Sequence, residues 1–171
     1  MSLRLIATGG TFDKHYDPIE GVLSFSQTHL HRILERCRIT IPVAVTELPL
    51  LDSLDMQETD RERIVAACSV AAEPHIVIVH GTDTMAETAQ KLGSTLSSST
   101  NEKAAPSRTI VLTGAMVPYE VSNSDALFNL GYAIALAQTL PSGVYVAMGG
   151  EVFEWNKVRK NRRAGRFEAT A

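Results

Sequence analysis

Two threonine-centred turns, each at the end of an apolar run, carry the side chains best placed for chemistry in this sequence. The first run, residues 3–7, leads into Thr8-Gly9-Gly10-Thr11, and the second, residues 75–79, leads into His80-Gly81-Thr82-Asp83-Thr84. The glycines allow a sharp turn or a close approach to a ligand. Both turns present hydroxyls beyond the carboxyl end of a predicted strand, where open α/β sheets bind ligands. We therefore predict that the two turns face one pocket.

The chemistry that these residue types favour is nucleophilic. A threonine hydroxyl is a poor nucleophile until a neighbouring group removes its proton. A lysine can remove it if its pKa is lowered or if it acts through a hydroxyl relay. An aspartate can hold that lysine or bind a substrate ammonium, and backbone N–H groups beside a glycine can stabilise an oxyanion. The two turns supply threonine, aspartate and glycine, and a basic segment over residues 157–166 supplies lysines.

Each turn also has a purely structural interpretation. Gly9-Gly10-Thr11 by itself fits an ordinary turn, and Thr84 with Glu87 has the spacing of a capping box at the start of a helix. A helix start does not exclude function, because the N-terminus of a helix is also an anion site. A third strand end, Thr113-Gly114, repeats the pattern of strand, hydroxyl and glycine, which favours a shared site over coincidence.

Strands and helices are predicted to alternate along the chain. The predicted strands are residues 3–8, 43–48, 75–80, 108–113 and 143–148, and the predicted helices are residues 28–37, 58–72, 84–96 and 124–139. This order, with near-continuous apolar strands, predicts a single α/β domain: a doubly wound, mostly parallel sheet with helices on both faces. Residues 97–103 are predicted to form a polar surface loop.

The charge distribution divides the chain into two parts. The net charge of −3 conceals a basic segment near the end, so the remainder is more acidic than the total suggests. We predict an α/β domain over residues 1–156 and a basic C-terminal segment over 157–171, either a solvated tail or part of the site. A mildly acidic body does not suggest a nucleic-acid partner. No apolar run reaches the roughly 18 residues of a membrane span.

The cysteines and the N-terminus favour a cytoplasmic protein. Cys37 and Cys68 are isolated and outside any metal-ligand spacing, so we expect both to be reduced and on the core side of helices. Gly9 and Gly10 interrupt the first apolar stretch too early for a secretory signal.

Several segments together resemble the bacterial-type L-asparaginases. Residues 7–11, Ala-Thr-Gly-Gly-Thr, resemble the first signature of that family, and residues 79–89 resemble the second. Residues 52–56 resemble its serine-containing substrate loop, and residues 113–130 a later stretch. The resemblance spans about residues 3–163. It covers the larger N-terminal domain of the family and is greatest to the short single-domain L-asparaginases.

The resemblance implies roles for individual residues. Thr11 matches the nucleophile, Thr82 the second essential threonine, Asp83 the acid that contacts the substrate amino group, and Ser53 the residue that binds the substrate carboxylate. Gly10 and Gly81 belong to the same signatures and are expected to line the substrate pocket.

Two further assignments depend on alignment through variable stretches. Counting from Met148 puts Lys160 on the active-site lysine of the family, with Lys157 as the alternative; Arg162 and Arg163 are then expected to be solvated. The family also has a tyrosine on the loop after the first signature. Here the aligned position is Val22, and Tyr16 is the tyrosine that the loop offers.

Other departures from the family concern the pocket. Leu54 stands where some members have a substrate-binding glutamine. This sequence covers only the N-terminal domain, so we expect a second subunit to close the pocket in a homodimer or homotetramer. The surface expected to pair includes the helix after Asp125 and residues 152–155.

The resemblance implies an amidohydrolase that converts L-asparagine and water to L-aspartate and ammonia through a threonine acyl-enzyme, without metal or organic cofactor. Whether Tyr16 or the lysine–threonine pair activates Thr11 stays open. The alternatives are a non-catalytic amino-acid sensor and an amidase acting on another small amide, such as glutamine. A nucleotide-binding domain is disfavoured because the sequence has no phosphate-binding glycine loop of the required spacing.

Overall fold

A computed structural model of the chain describes residues 2–98 and 108–170. The strands are β1 Leu3–Gly9, β2 His15–Asp17, β3 Val22–Ser24, β4 Val43–Leu51, β5 His75–Val79, β6 Thr109–Thr113, β7 Gly143–Met148, β8 Glu151–Glu154, β9 Val158–Asn161 and β10 Arg166–Ala169. The helices are α1 Leu30–Arg36, α2 Glu58–Val70, α3 Met85–Ser98 and α4 Ala126–Thr139, with a 3₁₀ turn over Thr11–Asp13.

The order of strands in the main sheet is β4-β1-β5-β6-β7-β8. The first five strands are parallel, and β8 pairs antiparallel with β7 at the edge. From β1 the chain first adds β4 on one side of the sheet and later β5 on the other, so the winding direction reverses between β1 and β5. Ligand crevices of doubly wound sheets lie at such a reversal. Both threonine turns follow these two strands.

The alternation of side chains along the strands produces two cores. Leu3 and Leu5 of β1 face the core that contains residues of α1 and α4, whereas Ile6 faces the core that contains residues of α2 and α3. Both faces of the sheet are therefore covered, and most positions of the central strands carry buried apolar side chains. The predicted α/β fold, a doubly wound and mostly parallel sheet, is confirmed.

The sequence analysis missed the short strands. The β2–β3 hairpin, β8 and the β9–β10 hairpin each contain only three or four residues per strand, too few to show a periodic pattern. The basic segment, expected as a tail or as part of the site, forms the β9–β10 hairpin, which Val158 and Phe167 anchor in the second core. The division of the chain at residue 157 stays a prediction.

Three local expectations need correction or qualification. Strand β4 continues past Pro49 to Leu51, which an edge strand tolerates because its outer N–H groups need no partner in the sheet. Cys68 is buried as predicted, but Cys37 is exposed, because α1 ends at Arg36. Of the predicted polar loop, residues 97–98 belong to α3, and 99–103 lie outside the described residues. Among the helices that the structure describes, none is long and apolar enough to cross a membrane.

Candidate active site

The two threonine turns are in direct backbone contact through their glycines. A Cβ atom added to Gly10 would lie 2.3 Å from the Cα atom of Gly81. Gly10 also has φ +73°, a conformation that residues other than glycine rarely adopt. Because Thr11 and Thr82 directly follow these glycines, the contact brings the two candidate catalytic threonines onto neighbouring turns.

The serine-containing loop packs against the same contact. A Cβ atom on Gly81 would lie 2.5 Å from the Cβ atom of Ser53, and the Thr84 hydroxyl donates a hydrogen bond to the Ser53 carbonyl at 2.8 Å. On the other side, the Gly10 N–H donates to the Leu51 carbonyl at 2.8 Å. Three segments, after β1, β4 and β5, are thus joined without space for a side chain between them.

Lys160 reaches this region from the β9–β10 hairpin. Its Nζ atom donates a hydrogen bond to Thr82 Oγ1 at 2.7 Å and to Asp83 Oδ1 at 3.0 Å. The Lys160 side chain is largely buried, and Asp83 is about one third exposed. Lys157, the alternative lysine, instead pairs with Glu154 on the surface at 2.8 Å. The structure therefore brings Lys160, Thr82 and Asp83 together and leaves Lys157 outside the group.

Arg162 does not behave as a wholly solvated charge. Its Nε atom lies 3.5 Å from Asp83 Oδ1, the same oxygen that accepts the hydrogen bond from Lys160. Although most of the Arg162 side chain is exposed, the carboxylate at the site has two cationic neighbours. Arg162 is thus mostly solvated, as expected, but it also lies within ion-pair distance of Asp83, because the β9–β10 hairpin folds back over the turn that follows β5.

The first turn is held by a buried carboxylate. Thr11 begins the 3₁₀ turn, and Asp13, which ends it, is fully buried. The Asp13 carboxylate accepts hydrogen bonds from the Thr28 hydroxyl and from the His29 N–H at 2.9 Å. Burial raises the pKa of Asp13 from 3.8 to about 6, although these hydrogen bonds act in the opposite direction. The sequence analysis did not identify Asp13.

The sequence analysis also missed an ion pair between the first turn and the serine loop. Lys14 Nζ lies 2.5 Å from Asp52 Oδ2, and it also lies 5.7 Å from the centre of the Phe25 ring. The hydrogen bond from Lys14 lowers the pKa of Asp52 below its usual value. Asp52 begins the serine-containing stretch and Lys14 follows Thr11 by three residues, but no sequence pattern links the two positions, so only their opposite charges could have suggested the contact.

Tyr16 lies on the β2–β3 hairpin that follows the first turn. Its side chain is 59% exposed and pairs across the hairpin with Leu23, whose side chain is also exposed. The structure thus brings Thr11, Thr82, Ser53 and Lys160 into one region through described contacts, but it shows Tyr16 on an open surface.

Several polar residues near the turns have structural partners. The Thr8 and Thr113 hydroxyls donate to the carbonyls of Val79 and Ala147, so the third strand end points into the sheet. His80, directly after β5, is fully buried, and both of its ring nitrogens form hydrogen bonds. Burial lowers the pKa of His80 from 6.5 to about 4, which keeps the ring neutral at pH 7.

The helix that follows the second turn begins differently from the capping-box prediction. The Thr84 hydroxyl donates to the Ser53 carbonyl, and the Glu87 carboxylate pairs with Arg61 at 3.0 Å. Both side chains therefore serve contacts between segments. Thr84 in particular links the start of α3 to the serine loop, which strengthens the connection between the candidate binding residues.

Comparison with known proteins places the chain in a family. The family described as Asparaginase, N-terminal, matches residues 2–169. An L-asparaginase of Thermococcus kodakarensis is 35% identical over 117 residues, which cover 67% of this chain and 34% of the relative. L-asparaginase 1 of Escherichia coli K12 is 29% identical over 180 residues, covering 99% of this chain and 50% of the relative. The chain thus spans half or less of the length of these relatives.

Solved structures agree on the fold. The thermostable L-asparaginase from Thermococcus kodakarensis aligns with a TM-score of 0.80 at 27% identity, covering 99% of this chain and 51% of that chain. A probable cytoplasmic L-asparaginase from Campylobacter jejuni has a TM-score of 0.79 at 24% identity, with 98% and 51% coverage. A family match over nearly the whole chain, on the fold of solved L-asparaginases, shows that this chain belongs to the asparaginase N-terminal family.

Proposed function

We propose that this protein hydrolyses the side-chain amide of L-asparagine to L-aspartate and ammonia. The observation that carries this proposal is the contact of Lys160 Nζ with Thr82 Oγ1 and Asp83 Oδ1, formed between residues 78 and 77 positions apart. A lysine hydrogen-bonded to a threonine hydroxyl is suited to proton relay. The same group lies beside Gly81, which contacts the turn that contains Thr11.

In the first step, Thr11 Oγ attacks the carbon of the amide. In the proposed relay, Thr82 takes a proton from Thr11 and passes its own proton to the amine of Lys160. Thr11 Oγ then bonds to the amide carbon, and the proton returns through Thr82 to the amide nitrogen as the C–N bond breaks. Ammonia leaves, and the product is a threonine ester of aspartate.

In the second step, water cleaves this ester. Thr82 and Lys160 take a proton from the attacking water, the bond between the acyl carbon and Thr11 Oγ breaks, and Thr11 recovers its proton. L-aspartate is released, and the enzyme returns to its starting state. The backbone N–H groups of the glycine-containing turns are candidates for stabilising the charge that develops on the carbonyl oxygen.

The substrate is held by opposite charges and by hydrogen bonds. Asp83 would accept the α-ammonium group, and Ser53 would donate to the α-carboxylate. Gly10 and Gly81 would line the pocket with backbone alone, because a side chain at either position would clash with the neighbouring segment. Leu54, which follows Ser53, is 62% exposed and offers no polar contact, so we expect a weaker grip on the substrate than a glutamine would provide.

Tyr16 is assigned an assisting role. On the exposed β2–β3 hairpin its hydroxyl would act only if the hairpin folds over Thr11, whereas Lys160 and Thr82 are already in contact. We therefore propose that the lysine–threonine pair moves the protons, and that Tyr16 helps to cover the site.

The test is ammonia release from L-asparagine and L-glutamine, measured side by side in a coupled assay. We expect release from asparagine, with the product identified as L-aspartate. Ammonia from glutamine alone would favour the alternative amidase. Binding of L-asparagine by calorimetry without ammonia release would favour the non-catalytic sensor and contradict the proposal.

We further propose that the protein works as a homodimer or homotetramer in the cytoplasm. Phe128 on α4 is 61% exposed, and Val152 on the edge strand β8 is also exposed, within the two regions expected to form a subunit contact. Light scattering combined with size-exclusion chromatography at assay concentration tests the assembly. A fully active monomer would contradict it.

A further inference from the structure

Asp52 places a carboxylate inside the loop that is expected to bind another carboxylate. It directly precedes Ser53, and its Oδ1 atom accepts a hydrogen bond from the Leu54 N–H at 3.1 Å. This hydrogen bond spans Ser53, so the negative charge belongs to the same tight turn. An unpaired negative charge at that place would repel the α-carboxylate of an incoming amino acid.

The other oxygen of this carboxylate meets Lys14. Lys14 Nζ is 2.5 Å from Asp52 Oδ2, and the two side chains are 21% and 31% exposed. At this degree of burial, solvent screens the pair only in part. Lys160 also lowers the pKa of Asp52, but by less than Lys14 does, because its hydrogen bonds go to Thr82 and Asp83.

From these contacts we infer that Lys14 is a specificity-determining residue, because it neutralises Asp52 and so allows the Ser53 hydroxyl to donate to the α-carboxylate of the substrate. The inference rests on the proposed function. It assigns a role to a residue that directly follows the turn beginning with Thr11, and it defines the substrate class as amides that carry a neighbouring carboxylate. Lys14 is held in place by the ring of Phe25 as well as by Asp52.

A different role for the same contact would be mechanical. The Lys14–Asp52 pair joins the first turn to the serine loop, and its loss could displace Thr11. The two roles predict different results when both charges are removed. The site is then neutral again, but the ion pair that joins the two segments is still missing. A double variant therefore separates electrostatic compensation from mechanical attachment.

The experiment compares the wild type with Lys14→Met, Asp52→Asn and the double variant. The asparagine at position 52 keeps an oxygen for the Leu54 N–H. We expect Lys14→Met to raise KM for L-asparagine by roughly five- to tenfold, the effect of one partly screened charge near the substrate, with little change in kcat. Asp52→Asn should leave KM at or below the wild-type value, and the double variant should return it to within about twofold of wild type.

Controls keep the result interpretable. Lys91→Met removes a lysine from an exposed ion pair with Glu58 and should leave KM unchanged. Lys14→Arg should preserve KM, because it keeps the charge. Lys14→Gln is a second neutral replacement in case the methionine variant does not fold.

Two results would overturn the inference. One is a double variant with a KM as high as that of Lys14→Met, which would mean that the ion pair serves only to join the two segments. The other is a loss confined to kcat. Titration of L-aspartate by calorimetry across the same proteins gives a readout independent of turnover, and the same order of affinities is expected. If the wild type releases no ammonia, the proposed function fails by itself, while the binding series still tests Lys14.

Discussion

The turn after β1 and the turn after β5 end neighbouring strands of one sheet, yet they are held in different ways. The turn after β5 leads directly into α3, where Met85 and Ala89 are fully buried. The turn after β1 leads through the 3₁₀ turn into the β2–β3 hairpin, where Ile19 is 89% exposed, before the chain reaches α1. Apolar packing continues past one strand end and stops shortly after the other.

This difference determines which forces position each threonine. Thr82 is fixed by the packing of α3 and by Lys160. The contacts that follow Thr11 include ionic and charge-assisted ones: Asp13 with Thr28 and His29, and Lys14 with Asp52. Each turn also contains a buried titratable group, Asp13 in the first and His80 in the second, so we expect the two turns to respond to pH in opposite directions.

The largest expected effect is on turnover when Thr11 is changed to alanine. Loss of the nucleophilic oxygen should lower kcat by about a thousandfold or more, while the melting temperature stays close to that of the wild type. Ammonia release and thermal denaturation measure the two quantities. Thr139→Ala, at an exposed hydroxyl on α4, is the matched control. Turnover near the wild-type rate in Thr11→Ala would mean that Thr11 is not the nucleophile.

Lys160→Met should have the next largest effect. The change removes the partner of Thr82 and leaves an apolar side chain of similar length, so kcat should fall by about a hundred- to a thousandfold. Lys157→Met and Arg163→Met, both exposed positions, should have little effect. Arg162 is unsuitable as a control because it contacts Asp83. If Lys157→Met were the damaging change, Lys157 rather than Lys160 would be the active-site lysine.

The pH dependence of stability should separate the two turns. The folded-state pKa of Asp13 is raised from 3.8 to about 6, so the folded state holds its proton more tightly than the unfolded state. Stability from Asp13 is therefore lost as pH rises between these values, by up to about 3 kcal/mol. The folded-state pKa of His80 is lowered from 6.5 to about 4, so its contribution is lost as pH falls through that window, by a similar amount.

The contributions of Asp13 and His80 to the free energy of unfolding change with pH in opposite directions. Together they should therefore leave the stability of the wild type nearly constant over this pH range. Asp13→Asn should gain about 2 to 3 kcal/mol relative to the wild type between pH 4 and pH 6.5, measured by urea denaturation at each pH. His80→Gln should show the opposite trend. Parallel profiles for Asp13→Asn and the wild type would mean that Asp13 does not make the first turn sensitive to pH.

The smallest effect is expected for Tyr16→Phe. The side chain is mostly exposed, and the change removes only its hydroxyl, so kcat should fall by less than about tenfold. Steady-state assays beside Thr82→Ala provide the comparison. A loss as large as that of Thr82→Ala would mean that the hairpin closes over Thr11 and that Tyr16 activates the nucleophile.

Much of the fold follows from local patterns. The runs of apolar residues that become β1, β5 and β6 are buried on both faces of the sheet, and their near-continuous apolar composition is typical of such strands. The four helices lie within a few residues of their predicted limits, since each has a long enough pattern. The short strands β2, β3, β9 and β10 were missed because pairing within a hairpin, rather than periodicity, forms them.

Only part of the candidate site could be predicted from the sequence. Thr11, Thr82 and Asp83 follow strand ends at the reversal of winding, which a doubly wound topology implies. Lys160 could be proposed only from the family resemblance. The structure favours it over Lys157 because the β9–β10 hairpin places Lys160 against Thr82, whereas Lys157 pairs with Glu154. The proximity of Arg162 to Asp83 could not be predicted, because nothing in a run of basic residues indicates which side chains approach the site.

The longer strands and helices, and the turns that carry hydroxyls, can be predicted from sequence because they depend on residues close together in the chain. The partner of each charged group depends instead on the tertiary structure: Lys160 contacts Thr82, Lys14 contacts Asp52, and Asp13 contacts Thr28. Such pairs are chosen by the packing of whole elements, which brings side chains up to 78 residues apart within hydrogen-bonding distance. A charge interacts strongly only over a few ångströms, so its partner depends on the fold rather than on its neighbours in sequence.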